Sequence, residues 1–235
     1  MKRFVFGCIG LCLAAAAVYA ALSPGDRAYV QARLSDTVPQ IGDAGLVAPP
    51  RSAHPVSPWQ AALITAARAQ IGVTTGYDGA YASLAYPMGD VPRQTGVCTD
   101  VVIRALRDAH GIDLQALVHQ DMRGAFSAYP AKWGLTRPDR NIDHRRVPNL
   151  RRYFERHAQS LPVSDEAQDY LPGDLVTWMF APGQPHIGIV SDRVSALTGE
   201  PLILHNAGAG TREQRFLFAY PITGHYRLNT AQQIP

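Results

Sequence analysis

The sequence predicts an α+β domain with an antiparallel sheet, because the apolar spacing changes period along the chain. Val101, Val102, Ala105, Leu106 and Ala109 recur at helical spacing. Later, Asp174–Phe180, His186–Ser191, Pro201–His205 and Gly224–Leu228 are short strand-like runs divided by glycine and proline turns. Helices first and strands later favour an antiparallel sheet over alternating βαβ units. No internal repeat is visible.

The first 20 residues read as an export signal. Lys2 and Arg3 precede the apolar stretch Phe4–Val18, and Val18-Tyr19-Ala20 offers a small-residue exit after Ala20. The stretch is short for a membrane span, so cleavage and release are expected rather than a retained anchor, giving a periplasmic or secreted protein with no stable membrane insertion. Cys8 and Cys12 leave with it, and Cys98 becomes the only cysteine, which excludes an intrachain disulfide and marks a free thiol. Losing two of the 22 Lys and Arg leaves 20 against 19 Asp and Glu, so the formal charge falls from +3 to +1. Such a balance gives no strong pull toward nucleic acid or anionic membrane.

Residues 21–57 carry Ala48-Pro49-Pro50 and His54-Pro55 with little periodicity and read as a linker or loosely docked arm, with a short helix near Asp26–Leu34. The folded domain is expected over 58–228, followed by a tail at 229–235. Ser57-Pro58-Trp59 places serine before proline as helices often start, and Ala61, Leu63, Ile64, Ala67 and Ile71 carry that helix to Gly72. In the next helix Asp100, Arg104, Arg107 and Asp108 fall largely opposite the apolar face, and Gly111 ends the run. Between Asp113 and Ser160 the chain reads as helices and loops, with Val147, Leu150, Tyr153, Phe154 and His157 forming one more amphipathic helix.

A thiol becomes nucleophilic when its thiolate is favoured, and the amino end of a helix favours it through free amides and the dipole. Thr95-Gly96-Val97-Cys98-Thr99-Asp100 places Cys98 in such a first turn, where it is either a nucleophile or a small cysteine packing helix against sheet. In His186-Ile187-Gly188-Ile189-Val190, alternation sends Ile187 and Ile189 to one face and His186, Gly188 and Val190 to the other. Gly188 is expected to leave room for a helix end near His186. His205 adds a third polar position at the end of the next strand, with Asn206 beside it. An imidazole base needs a partner on its other nitrogen, and either residue can serve. Asp174, after Pro172-Gly173, reads as a turn residue opening a strand, and Gly208 and Gly210 lack the strand and helix a nucleotide loop requires. Cys98, His186 and His205 include no close-spaced ligand pair of the kind common in zinc motifs, so neither metal nor cofactor is expected.

Taken in order, several segments resemble the NlpC-type peptidoglycan hydrolases and the related CHAP amidases over most of residues 60–227. They are Gln70-Ile71-Gly72 with Tyr77, the Gly96–Asp100 helix start, Leu171-Pro172-Gly173-Asp174-Leu175-Val176, the His186–Val190 strand, and Leu204-His205-Asn206. The resemblance implies a papain-like fold, with Cys98 as nucleophile and His186 as general base. It implies His205 as the orienting residue, with Asn206 competing for that role, and places Tyr77 with the Cys98 amide at the oxyanion site. Tyr77 reads equally as a packing aromatic. Many of these hydrolases begin the helix with Asp-Cys-Ser-Gly, where this chain has Val97-Cys98-Thr99-Asp100, and Gln115–Leu161 is an enlarged insertion. The whole chain is similar to an exported bacterial family catalogued as the DUF1287 domain of unknown function.

The activity this resemblance implies is cleavage of an amide bond in cell-wall peptidoglycan peptides through a Cys98 thioester. Acyl transfer or deamidation on the same fold, and a non-catalytic wall-binding module, are the competing functions. Asn141–Asn149 is the most unusual polar cluster. It is either a solvated loop or a cleft wall in which Arg145 or Arg146 grips a substrate carboxylate by paired hydrogen bonds, with Asp100 a further substrate-binding candidate.

Overall fold

Ser57 and Gln60 start the first helix by capping each other. The Ser57 hydroxyl accepts from the Gln60 amide at 3.3 Å, and the Gln60 side chain accepts from the Ser57 amide at 3.1 Å. Pro58 occupies the first turn, where its missing N–H costs nothing. Helix α1 then spans Pro58–Arg68, stopping short of Gly72. The computed structural model describes residues 51–228. The predicted export signal, most of the arm at 21–57, its short helix, Cys8, Cys12 and the tail at 229–235 lie outside the described residues.

Helix α2 spans Cys98–His110, and Gly111 closes it in the left-handed region at φ 67°, returning its N–H to the Arg107 carbonyl at 2.8 Å. Its apolar face is buried as the spacing predicts, but the opposite face is covered as well. Asp100 and Arg104 are both buried, because the loop over residues 74–97 wraps them. Arg104 forks onto Asp90 at 2.9–3.1 Å and reaches the Val91 and Thr95 carbonyls. Helix α3 (Leu114–Gly124) is capped by Asp113, and α4 spans Val147–His157 with Pro148 in its first turn.

Six strands follow: β1 (Gln159–Leu161), β2 (Leu175–Met179), β3 (Pro185–Val194), β4 (Pro201–Asn206), β5 (Thr211–Arg215) and β6 (Ile222–Arg227). They pair antiparallel in the order β1-β6-β2-β3-β4-β5. Helices on an antiparallel sheet make the expected α+β architecture.

Alternation along β3 and β4 divides the core. Ile187, Ile189 and Leu204 join Leu63, Val102, Leu106, Leu150 and Phe154 of the helices. Val190 and Ile203 join Val176, Trp178, Phe216 and Leu217 in a second cluster. The edge strands β1 and β5 carry no apolar alternation. β5, absent from the strand-like runs read in the sequence, is paired to β4 from Leu202↔Arg215 to Asn206↔Thr211. Its Glu213 is drawn inward to Arg68 of α1 and Arg193 of β3.

Candidate functional site

Cys98 is the first residue of α2 and is buried. Its thiol faces the Tyr77 hydroxyl and the backbone amides of Thr99 and of Ile187, the residue that follows His186 in β3. Tyr77 is 47% exposed, and its hydroxyl is also within reach of the Cys98 amide. Burial and the adjacent thiol push the phenol's acidity away from neutral pH, so the hydroxyl stays protonated and able to donate.

The thiol differs from the expectation that its helix end makes it a thiolate. Burial pushes Cys98 up to about 11, and Asp100 adds to this, outweighing the amides and Tyr77, which act in the opposite direction. Burial is the main cause, and the third residue of the same turn adds to it. The Asp100 carboxylate accepts from the Val97 amide at 2.6 Å and so places a negative charge at the helix end next to the sulfur. Alkylation of Cys98 by iodoacetamide is therefore expected to rise about tenfold per pH unit from neutral pH toward 11. A rate already level at pH 7 would instead reveal a preformed thiolate.

His186 opens β3 and His205 lies near the end of β4, and the two rings meet with His186 Nε2 2.9 Å from His205 Nδ1. Gly188 makes this approach possible. A Cβ there would lie 2.7 Å from Ile203 Cγ2 and 3.1 Å from His205 Cβ. The space beside the glycine is filled by β4, not by a helix end as the sequence suggested. Both imidazoles are buried and held neutral. Burial lowers His186 well below its ordinary value, with His205 adding to it, and burial with Arg212 lowers His205 to about 3. Phe216 and Phe180 enclose the pair, with ring centroids 4.1 Å from His205 and 4.5 Å from His186 respectively.

Asn206 does not meet His186. Its side-chain amide donates to the Gly76 and Gly96 carbonyls, both at 3.1 Å, and its oxygen accepts from the Gly208 amide. Asp100 and Arg145 are likewise turned to each other, with Nε–Oδ1 3.0 Å and Nη2–Oδ2 2.9 Å, both side chains buried. Of the residues expected to bind substrate, Arg145 and Asp100 are thus buried against each other. Arg146 bonds Asp143 at 3.0 Å and lies 4.1 Å above the Trp133 ring. Among the described residues no group of three or more His, Cys, Asp and Glu is arranged to hold a metal ion.

The DUF1287 family, described as a domain of unknown function, matches residues 64–228, a span that includes every one of these groups. The chain belongs to the DUF1287 family. An uncharacterized Escherichia coli K12 protein, YijF, is 54% identical over 166 residues, covering 71% of this chain and 80% of YijF. The features of this DUF1287 domain that sequence reasoning missed are the Phe180 and Phe216 enclosure and the inward turn of Asn206, Asp100 and Arg145. The apolar run Phe216-Leu217-Phe218 was the available signal for the first.

Proposed function

We propose that this protein is an exported cysteine hydrolase of papain-like type that cleaves an amide bond in peptidoglycan peptides through a thioester on Cys98. The observation that carries the reading is the buried His186–His205 hydrogen bond set one residue from the amide that faces the Cys98 thiol. A base with an oriented ring, a lone thiol at a helix start and a half-exposed phenol are the parts acyl transfer uses.

In the proposed reaction the sulfur, which meets β3 at the Ile187 amide, attacks the amide carbon as its proton passes around the start of that strand to His186 Nδ1, whose ring packs on the other face. His186 then carries its own proton on Nε2 and donates it to His205 Nδ1, which fixes the tautomer. Because both rings are neutral and the thiol is protonated at rest, the proton moves as the sulfur–carbon bond forms rather than beforehand. The negative oxygen of the tetrahedral intermediate is held by the Cys98 amide and the Tyr77 hydroxyl. The carbon–nitrogen bond breaks as His186 returns the proton to the leaving amine. Water then attacks the thioester, with His186 accepting one of its protons and passing it to the departing sulfur, to give the acid and the free thiol.

The test is mass spectrometry of purified peptidoglycan fragments incubated with the protein. New products whose combined mass exceeds the parent by one water mark hydrolysis, and joined fragments mark transfer. Cys98→Ala is expected to lower product formation by about 10³-fold or more. Products that persist at the wild-type rate in Cys98→Ala would remove the nucleophile and the reading with it.

A further inference from the structure

Tyr77 lies in a stretch without regular secondary structure, yet its hydroxyl has to face one sulfur. The backbone around it is held on both sides. On the amino side, the carbonyl of Gly76 accepts from Asn206 Nδ2 at 3.1 Å, and the same nitrogen donates to the Gly96 carbonyl, two residues before Cys98. On the carboxyl side, the Asp78 carbonyl accepts from Arg145 Nη2 at 3.2 Å, and the Asp78 amide donates to the Gly96 carbonyl at 3.3 Å. Arg145 is itself anchored to the first turns of α2. Its guanidinium pairs with Asp100, and its own carbonyl accepts from the Thr99 hydroxyl at 3.0 Å. Asn206 and Arg145 are both buried, so these bonds are made away from solvent, where leaving a carbonyl unpaired is costly.

We infer that Asn206 and Arg145 are positioning residues for Tyr77, clamping its loop from either side to the start of α2 so that the phenol hydroxyl faces Cys98. The inference rests, for its catalytic meaning, on Cys98 being the nucleophile. It gives two buried residues that do not bond His186 a role in the same chemistry. Asn206 reaches the loop because it shares the helix-facing side of β4 with Leu204, whereas His205 takes the opposite side.

The experiment is a double-mutant cycle read on the thiol, which needs no substrate. Cys98 alkylation by iodoacetamide is followed on the full chain between pH 7 and 9 by peptide mass spectrometry, which separates Cys98 from Cys8 and Cys12. The charged and titratable groups around the sulfur are Asp100, with its partner Arg145, and Tyr77, and His186 precedes Ile187, whose amide faces the sulfur. Tyr77→Phe is expected to slow alkylation about fivefold by removing one hydrogen bond to the thiolate. Asn206→Ala and Arg145→Lys are each expected to slow it by a similar factor. Lysine keeps a charge opposite Asp100 but lacks the fork that also spans to Asp78.

In the Tyr77→Phe background neither substitution is expected to slow alkylation further, because the hydroxyl they position is gone. Losses that multiply in the double variants would overturn the clamp, since the residues would then act through Asp100 or α2 itself. Either single variant alkylating at the wild-type rate or faster would overturn it too. Thermal melts establish that each variant is folded, and if one is not, the other decides. A chain that yields no cell-wall product can still show the coupling, and one that lacks the coupling can still yield Cys98-dependent product, so the two proposals fail separately.

Discussion

His186→Ala is expected to lower Cys98-dependent turnover by about 10²- to 10⁴-fold, the range for losing a positioned general base. The protein is expected to stay folded, because the cavity opens next to Phe180, Phe216 and His205 rather than among the helices. The pH dependence carries a second signature. His186 is held well below its ordinary value and His205 lies at about 3, so neither gains a proton as pH falls through 6.5. The base stays in its accepting form, and the protonated thiol persists up to about 11. Turnover is therefore expected to be flat from about pH 6 to 9, while alkylation of the free thiol climbs through the same interval. Measuring kcat/KM and alkylation side by side separates proton transfer during attack from a resting ion pair. Undiminished turnover in His186→Ala would end the assignment of His186 as base.

The contrast between His205 and Asn206 shows how far the sequence could be read. Adjacent strand residues point to opposite faces, and in β3 the structure turns Ile187 and Ile189 toward the helices, where the sequence had suggested the His186 and Gly188 face. The same alternation in β4 puts Leu204 and Asn206 toward the helices and His205 with Ile203 on the other side, where His186 also lies. The identity of the partner was thus present in the pattern once two strands were known to be neighbours, and pairing between strands is what local spacing does not state. The buried face of α2 was less accessible. Asp100 and Arg104 look like solvent-facing charges at helical spacing, and only the loop carrying Asp90, Val91 and Thr95 turns them into buried groups. β5 was illegible for a related reason: Thr-Arg-Glu-Gln-Arg offers no apolar face, and its place depends on register with β4 and on the pull of Arg68 on Glu213. The Pro-Gly-Asp turn at Asp174 was the simpler case, because its meaning is local and the structure extends it.

Asp174→Ala is expected to cost about 3 kcal/mol of unfolding free energy, at the lower end of what removing one partner of a buried ion pair costs because Arg227 keeps part of its hydration. Asp174 has no exposure at all. Oδ2 accepts from the Leu171 amide at 2.8 Å, from His225 Nε2 at 2.7 Å and from Arg227 Nη2 at 2.7 Å, while Oδ1 accepts from Arg227 Nε at 2.7 Å. The aspartate closes its own turn before β2 and ties it to two residues of β6, the neighbouring strand. His225, stacked on Tyr170 at 4.4 Å, cannot turn to water when the carboxylate is lost, and that stranded donor is the main part of the penalty. Asp174→Asn retains an oxygen for the Leu171 and His225 donors but no charge for Arg227, so it should recover part of the loss. Urea unfolding at neutral pH of the three proteins measures both steps. If the alanine variant unfolds within experimental error of wild type, the cluster contributes little. If it is destabilised as expected yet still alkylates at Cys98 normally when folded, Asp174 supports β2 and β6 without acting on the thiol.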